Sequence, residues 1–263
     1  MLHLPLIKRE INMVLEKKYI IAVIILGILT FGSLALMTVQ AGGNPKPATH
    51  PNFRGFHTAI VWFEVLESPR ELFMVLGSPE KEQGVELRKI MNTMNRYDFL
   101  FMVCYNLFFA TLFFLLFHVR GEKHATIEKV LLYFGIAVSL CILLGDILEN
   151  TRLLELTGYK TEADIKLDSL HLLQTYTRIK WFGIFAASLL LAVQYPRSFG
   201  MGFIGCAFFL VFIASSIAGA LSFMIPGSGF LLEFSANILG LGWLMAIVHG
   251  FVLYRSGRAL LKQ

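Results

Sequence analysis

The chain has 263 residues, of which 56% are hydrophobic and only 16% charged, with a mean hydropathy of +0.66. So low a charge fraction excludes an ordinary soluble domain and places the protein in the membrane class. The formal charge of +5 reads as the basic excess that membrane proteins carry beside the cytoplasmic leaflet, not as a nucleic-acid surface. Cys104, Cys141 and Cys206 all fall in apolar runs, so they read as packing residues and not as a disulfide framework.

Residues 1–18 are basic (Lys8, Arg9, Lys17, Lys18), with apolar residues at helical spacing, and predict an amphipathic helix lying on the cytoplasmic membrane surface. Residues 19–39 form the first apolar run. Val39-Gln40-Ala41 matches a signal-peptidase pattern, but 21 residues exceed a signal-peptide core, so the run is read as a retained first span.

Residues 40–98 predict an outer helical segment. Ser68-Pro69-Arg70-Glu71 supplies an N-cap, a proline at the first helical position and a glutamate three residues after the cap, and Gly77 is placed to stop that helix. Ser78-Pro79 starts the next helix. The second span is 99–117 and the third 130–149, joined by a loop with Arg120, Lys123 and Lys129. Residues 150–178 predict a second outer helical segment, with a stop at Gly158 and a capping box from Thr161 to Asp164. The fourth span is 179–193, followed by a turn at Tyr195-Pro196-Arg197. The fifth span is 201–224, broken by Ile225-Pro226-Gly227, and the sixth is 234–254, before a basic tail, 255–263. The fold class is therefore all-α: a polytopic membrane protein of six transmembrane helices with a small helical cap on the outer side.

Six spans put both termini on one side. With that side inside, the short inner segments hold 11 of the 23 basic residues, and the other 12 are spread over about twice the length of chain. The positive-inside rule then predicts cytoplasmic termini and a multi-pass protein of the plasma (inner) membrane.

This topology brings the polar residues of the spans to one depth. Asp98 opens the second span. Asp146, Glu149 and Asn150 close the third, spaced i, i+3 and i+4 so that they share a helical face. Lys180 opens the fourth span, and Glu233 and Asn237 open the sixth; Tyr105 and Asn106 extend the stripe inward from Asp98. Charge at membrane depth is costly and faces a partner, a cavity or a substrate path. Two readings stand side by side. One is a polar site, whose carboxylates carry protons or bind cations. The other is a clamp, in which Asp146 or Glu149 pairs with Lys180 or Arg152 and Asp98 closes the same cluster.

Other features point less far. His50, His57 and Glu64 lack the spacing of a closed metal site, and no cofactor motif occurs. His249 reads as a core histidine bonded to a carbonyl. Ser215/Gly219, Ser216/Ala220 and Gly242/Ala246/Gly250 are small-xxx-small patterns, which predict close packing of the last two spans, within the chain or between copies of it.

Tyr97-Asp98 opening one span, Asp146-x-x-Glu149-Asn150 closing the next and Lys180-Trp181 opening the one after resemble a pattern in uncharacterised bacterial multi-pass proteins, which carries no known activity. The six-span layout, Ile7-Lys8-Arg9-Glu10 and Gly121-Glu122-Lys123-His124-Ala125-Thr126-Ile127-Glu128 are similar to ABC-2 type permease subunits, with Ala125-Thr126 where that family has Gly-Thr. That resemblance implies an ATPase partner docking on the cytoplasmic face.

The function expected from the sequence is transport or sensing of a small molecule, ion or lipid through an outer-leaflet polar pocket. The competing expectations are an ABC-2-like permease subunit, a lipid-modifying membrane enzyme and a non-catalytic assembly subunit. The enzyme needs a nucleophile or metal set at the site, for which only Asp98, Asp146 and Glu149 with Lys180 offer themselves.

Overall fold

The computed structural model describes residues 4–49, 54–120 and 125–256, with side chains described from Val14 onward. Eight α-helices and a short 3-10 turn occur among the described residues, and no strand does. Six helices are long and apolar enough to cross a membrane: α1 (Leu4–Gln40), α4 (Glu82–Arg120), α5 (Ala125–Leu156), α6 (Leu167–Phe199), α7 (Phe203–Ser222) and α8 (Gly229–Ser256). Two short helices, α2 (Ala59–Glu64) and α3 (Pro69–Leu76), lie between α1 and α4. The protein is an all-α, multi-pass membrane protein.

The long helices close into a ring in chain order: α1 packs on α4, then α5, α6, α7 and α8 follow, and α8 returns to α1. Ile25, Leu107, Leu140, Phe182, Leu210 and Leu244, one from each helix, stay exposed on the outside. This apolar exterior is the surface a bilayer wets. The ring interior is filled by aromatic side chains. Trp243 of α8 reaches α4, stacking on Tyr105 with ring centroids 5.6 Å apart and meeting Phe109 edge-on at 5.6 Å.

Several elements run further than the apolar runs that announce them. The basic start continues into the first span as one helix from Leu4 to Gln40, because no glycine interrupts it before Gly27 and Pro5 sits harmlessly in the first turn. The helix expected from Ser78-Pro79 starts at Glu82 and becomes the second span itself. Its 39 residues measure about 58 Å, roughly twice a hydrocarbon core, so residues 82–98 stand beyond the apolar stretch. Helix α6 begins at Leu167, twelve residues ahead of the expected Ile179, and passes straight through Pro196 to end at Gly200 (φ +88°). The expected turn at 195–197 is absent because Tyr195, Pro196 and Ser198 are all buried against the bundle, which holds the last turn helical. The fifth and sixth spans lie close to expectation.

The cap is α2, α3 and their loops, lying over one end of the ring. Trp62, Phe63, Leu66, Leu72 and Leu76 are fully buried there. Ser68 caps α3 as expected, its hydroxyl accepting the Glu71 amide at 3.3 Å, and Gly77 ends α3 at φ +73°. Asp164 accepts the Thr161 amide at 2.9 Å, but the box caps only the 3-10 turn Glu162–Asp164. Trp62 Nε1 donates to Glu71 Oε2 at 3.1 Å. Burial pushes the Glu71 carboxyl above its ordinary value, against the downward pull of Trp62 and Arg54.

Three sets of contacts seat the cap on the ring. Glu233 of α8 accepts from the amides of His57 (2.9 Å) and Thr58 (2.7 Å) and from the Thr58 hydroxyl (2.8 Å). Gln174 of α6 donates to the Leu66 carbonyl at 3.0 Å. Arg88 of α4 donates to the carbonyls of Thr157 (3.1 Å) and Gly77 (3.3 Å). Gly55 (φ +72°) lies so close to the α7–α8 turn that a Cβ there would collide with the Gly227 carbonyl oxygen.

The opposite end carries its own charged knot. Buried Glu128 of α5 accepts from Arg120 Nε of α4 and from Arg197 of α6, both at 3.2 Å, and Arg120 donates to the Arg197 carbonyl at 2.6 Å.

The small-residue patterns of α7 and α8 are taken up inside the chain. Ser215 and Ser235 exchange hydrogen bonds between α7 and α8, the Ser216 hydroxyl donates to the Phe185 carbonyl of α6, and Gly242 and Gly250 admit Phe212 and Ile24. These faces therefore join helices within one chain, because aromatic and β-branched neighbours already fill them. Tyr195, not a carbonyl, is the hydrogen-bond partner of buried His249.

Candidate functional site

Beneath the cap, at the mouth of the ring, the side chains expected from the sequence meet on α4, α5 and α6. Helix α5 lies between the other two, so the shared face of Asp146, Glu149 and Asn150 looks both ways. Asp146 and Asn150 reach α4. Asp146 Oδ2 accepts from the Tyr105 hydroxyl at 2.5 Å, and Asn150 Nδ2 donates to Asp98 Oδ2 at 2.8 Å and to the Asn95 carbonyl at 3.3 Å. Asp146 and Glu149 also reach α6. The Lys180 ammonium lies 3.5 Å from Asp146 Oδ1 and forms a close ion pair with Glu149. Glu149 Oε1 accepts from the Thr177 hydroxyl at 2.8 Å.

The helices can meet this closely because of Gly145. A Cβ at that position would stand 3.0 Å from the Lys180 amide nitrogen, so glycine lets the α6 backbone press against α5 one residue before Asp146. The glycine that opens the Gly145–Asn150 stretch thus sets the depth at which Lys180 meets its acids.

One acid enters from the cap. Glu64, the last residue of α2, lowers its carboxylate onto α6: Oε2 lies 2.9 Å from Lys180 Nζ and accepts from Trp181 Nε1 at 3.1 Å. Its own carbonyl, also 2.8 Å from the Thr177 hydroxyl, shares that one hydrogen with Glu149. In the sequence Glu64 drew notice only beside His50 and His57; no local pattern marks a cap residue that folds down onto a distant lysine. Thr177, three residues before Lys180 and therefore on the same face, carried the one available signal.

Three carboxylates (Glu64, Asp146 and Glu149) thus face a single ammonium, and a fourth, Asp98, joins the cluster through Asn150. Asp146, Glu149, Asn150 and Lys180 are buried, Glu149 completely. Charge this deep is tolerated only when paired and hydrogen-bonded. The arrangement pairs Lys180 three times over and leaves the acids in formal excess by three. The packed ring of Tyr105, Phe109 and Trp243 lies inward of Asp146. The cluster is packed between α2 above and these aromatics below, not laid open in a pocket.

No known family, characterised protein or solved structure matches this chain. What the site does must therefore be argued from its own chemistry.

Other expected members lie elsewhere. Glu233 is spent on the cap loop, and Asn237, one turn on, is exposed. Both miss the cluster because α8 sits between α7 and α1 in the ring and does not border α5. Arg152 pairs with Glu155 at 2.7 Å on its own helix, not with the cluster acids. Asn106 donates back to the Met102 carbonyl of α4 at 2.8 Å. His50 lies outside the described residues, as does the 121–124 stretch; His57 pairs with Glu233 at 3.0 Å. Among the described residues no group of histidine, cysteine and acid side chains converges as metal ligands.

A cavity of about 630 Å³ adjoins the cluster, between the cap loop, α6 and the α7–α8 turn. Thr177 belongs to both, lining the cavity and bonding to Glu149.

Proposed function

We propose that this protein transports or senses a small molecule, ion or lipid at the outer face of the plasma membrane, and that the Lys180 cluster is the part that changes charge as it works. The observation that carries the reading is the imbalance: a connected set of four acids holds one buried cation, which pairs with three of them. Coulomb repulsion at these distances in a poorly solvated site disfavours the fully ionised set. In this reading protons supply the positive charge that one lysine does not. Such a group of acids at a membrane boundary is the usual substance of proton-linked gating or transport. The density of basic residues in the inner segments supports the side assigned here, with the termini in the cytoplasm and the cap outside.

The geometry also couples charge to shape. Glu64 belongs to the cap, and its carboxylate and carbonyl both bond to α6. A change of proton occupancy at the cluster alters the hold of α6 on the roof, which is how a local charge event becomes a movement of the cap.

Trp181 is a built-in reporter, since its indole N–H donates to Glu64. In purified protein its fluorescence is expected to follow a sigmoidal pH dependence, obtained as the difference between wild type and Trp181→Phe. Glu149→Gln should shift the midpoint. A difference spectrum that stays flat between about pH 4 and pH 9, the range over which perturbed carboxyls titrate, would contradict the proposal.

A further inference from the structure

The cavity beside the cluster has walls of two kinds. Arg54 and Arg178 line it, with Glu67 as the one acid, and the N-terminus of α8 at Gly229 opens into it. Phe56, Phe182, Phe223 and Leu232 supply apolar wall. Arg54 is engaged: it forms a close ion pair with Glu67 and lies 3.9 Å from Glu71. Arg178 is exposed and has no ion-pair partner among the described residues. The two arginines and the positive end of a 28-residue helix outweigh the single lining carboxylate, so the polar side of the cavity favours an anion.

The apolar side says what kind of anion. Phe182 is 48% exposed, and Met224 and Ile225 at the cavity's rim are 75% and 48% exposed. Lys180, two residues after Arg178, already belongs to the apolar part of α6, so the cavity opens where that helix enters the bilayer. A soluble anion would gain nothing from aromatic walls there, whereas an amphiphile uses both halves. Gly55 and Gly227 keep the cavity's far wall in place by close backbone contact.

We infer that this cavity binds an anionic phospholipid from the outer leaflet, its phosphate held by Arg178 beside Arg54 and its upper acyl chain lying along Phe182 and Phe223. The inference names the ligand for the function proposed above and rests on that reading for the side of the membrane. Through Thr177, one wall of the lipid site is hydrogen-bonded to Glu149 of the cluster.

The test is binding of short-chain phosphatidylglycerol to the purified full chain in a neutral detergent, followed by native mass spectrometry, with short-chain phosphatidylcholine and inorganic phosphate as comparisons. Saturable binding of phosphatidylglycerol is expected, at least about tenfold tighter than phosphatidylcholine, as one charge-assisted contact provides. Arg178→Gln should remove that preference, while Arg255→Gln, at the far end of α8, should keep it. Arg178 is exposed, so its replacement leaves the fold intact. Equal binding of the two lipids, an unchanged preference in Arg178→Gln, or phosphate binding as tightly as the lipid would overturn the inference. The Trp181 pH response, read on the same sample, separates the outcomes: if it persists while lipid preference is missing, the lipid site fails and the proton-linked cluster stands.

Discussion

Lys180→Met is expected to destabilise the protein by about 3–5 kcal/mol, the loss typical when one partner of a buried ion pair is removed. Lys180 is 6% exposed and meets Glu64, Asp146 and Glu149, of which Glu149 is fully buried. Methionine keeps the length and the apolar stem but leaves the acids with no cation. Thermal unfolding in detergent measures the effect, and pH supplies a control with a definite sign. Adding protons neutralises the stranded acids, so the deficit should shrink as the pH is lowered. Adding Glu149→Gln to Lys180→Met should recover part of the loss, since it removes one of the uncompensated charges. A deficit below about 1 kcal/mol, the range of solvent-exposed ion pairs, would mean that the cluster is wetter than its burial says.

Trp62→Ala is the second large effect. The indole is fully buried at the centre of the cap, stacks near Phe56 with ring centroids 6.2 Å apart, and donates to Glu71. Truncating an aromatic core residue costs about 3–5 kcal/mol, and here the loss falls on the roof of the cluster. The ring of long helices has its own aromatic interior and should survive. Hydrogen exchange should therefore rise in residues 54–76 and at the α7–α8 turn, with the central turns of α4 and α5 unchanged. Trp62→Phe, which keeps most of the volume but loses the N–H, should lie between wild type and Trp62→Ala. Uniform loss of protection over the whole chain would show that the cap is not a separable layer.

The bundle was legible in the sequence because spans announce themselves by length and hydropathy: five of the six long helices cover the expected runs, and α7 falls two residues short of the fifth at each end. Their ends were not. Residues 82–98 and 167–178 carry apolar residues only at helical spacing (Leu87, Ile90, Met91 and Met94 point the first toward its span), so no continuous run shows that each is one helix with the span it enters. Pro196 read as a turn because the local rule for proline ignores the buried Tyr195 and Ser198 that hold the helix around it. At the site, spacing alone put Asp146, Glu149 and Asn150 on one face, and up-and-down topology brought Asp98 and Lys180 to their level. Glu233 and Asn237 shared that level and still missed the cluster, because depth says nothing of angular position in a ring. Glu64 had no periodic signal at all; only the seating of the cap carries it to Lys180.

If the Lys180 cluster works as proposed, it holds at least one proton at neutral pH. Infrared spectroscopy of the purified protein detects protonated carboxyl groups directly, by their C=O stretching band. The account predicts a buried-carboxyl band in wild type at neutral pH, slow to shift on deuteration, and reduced in Asp98→Asn and in Glu149→Gln. Absence of any such band at neutral pH, with all four acids ionised around one lysine, would contradict it.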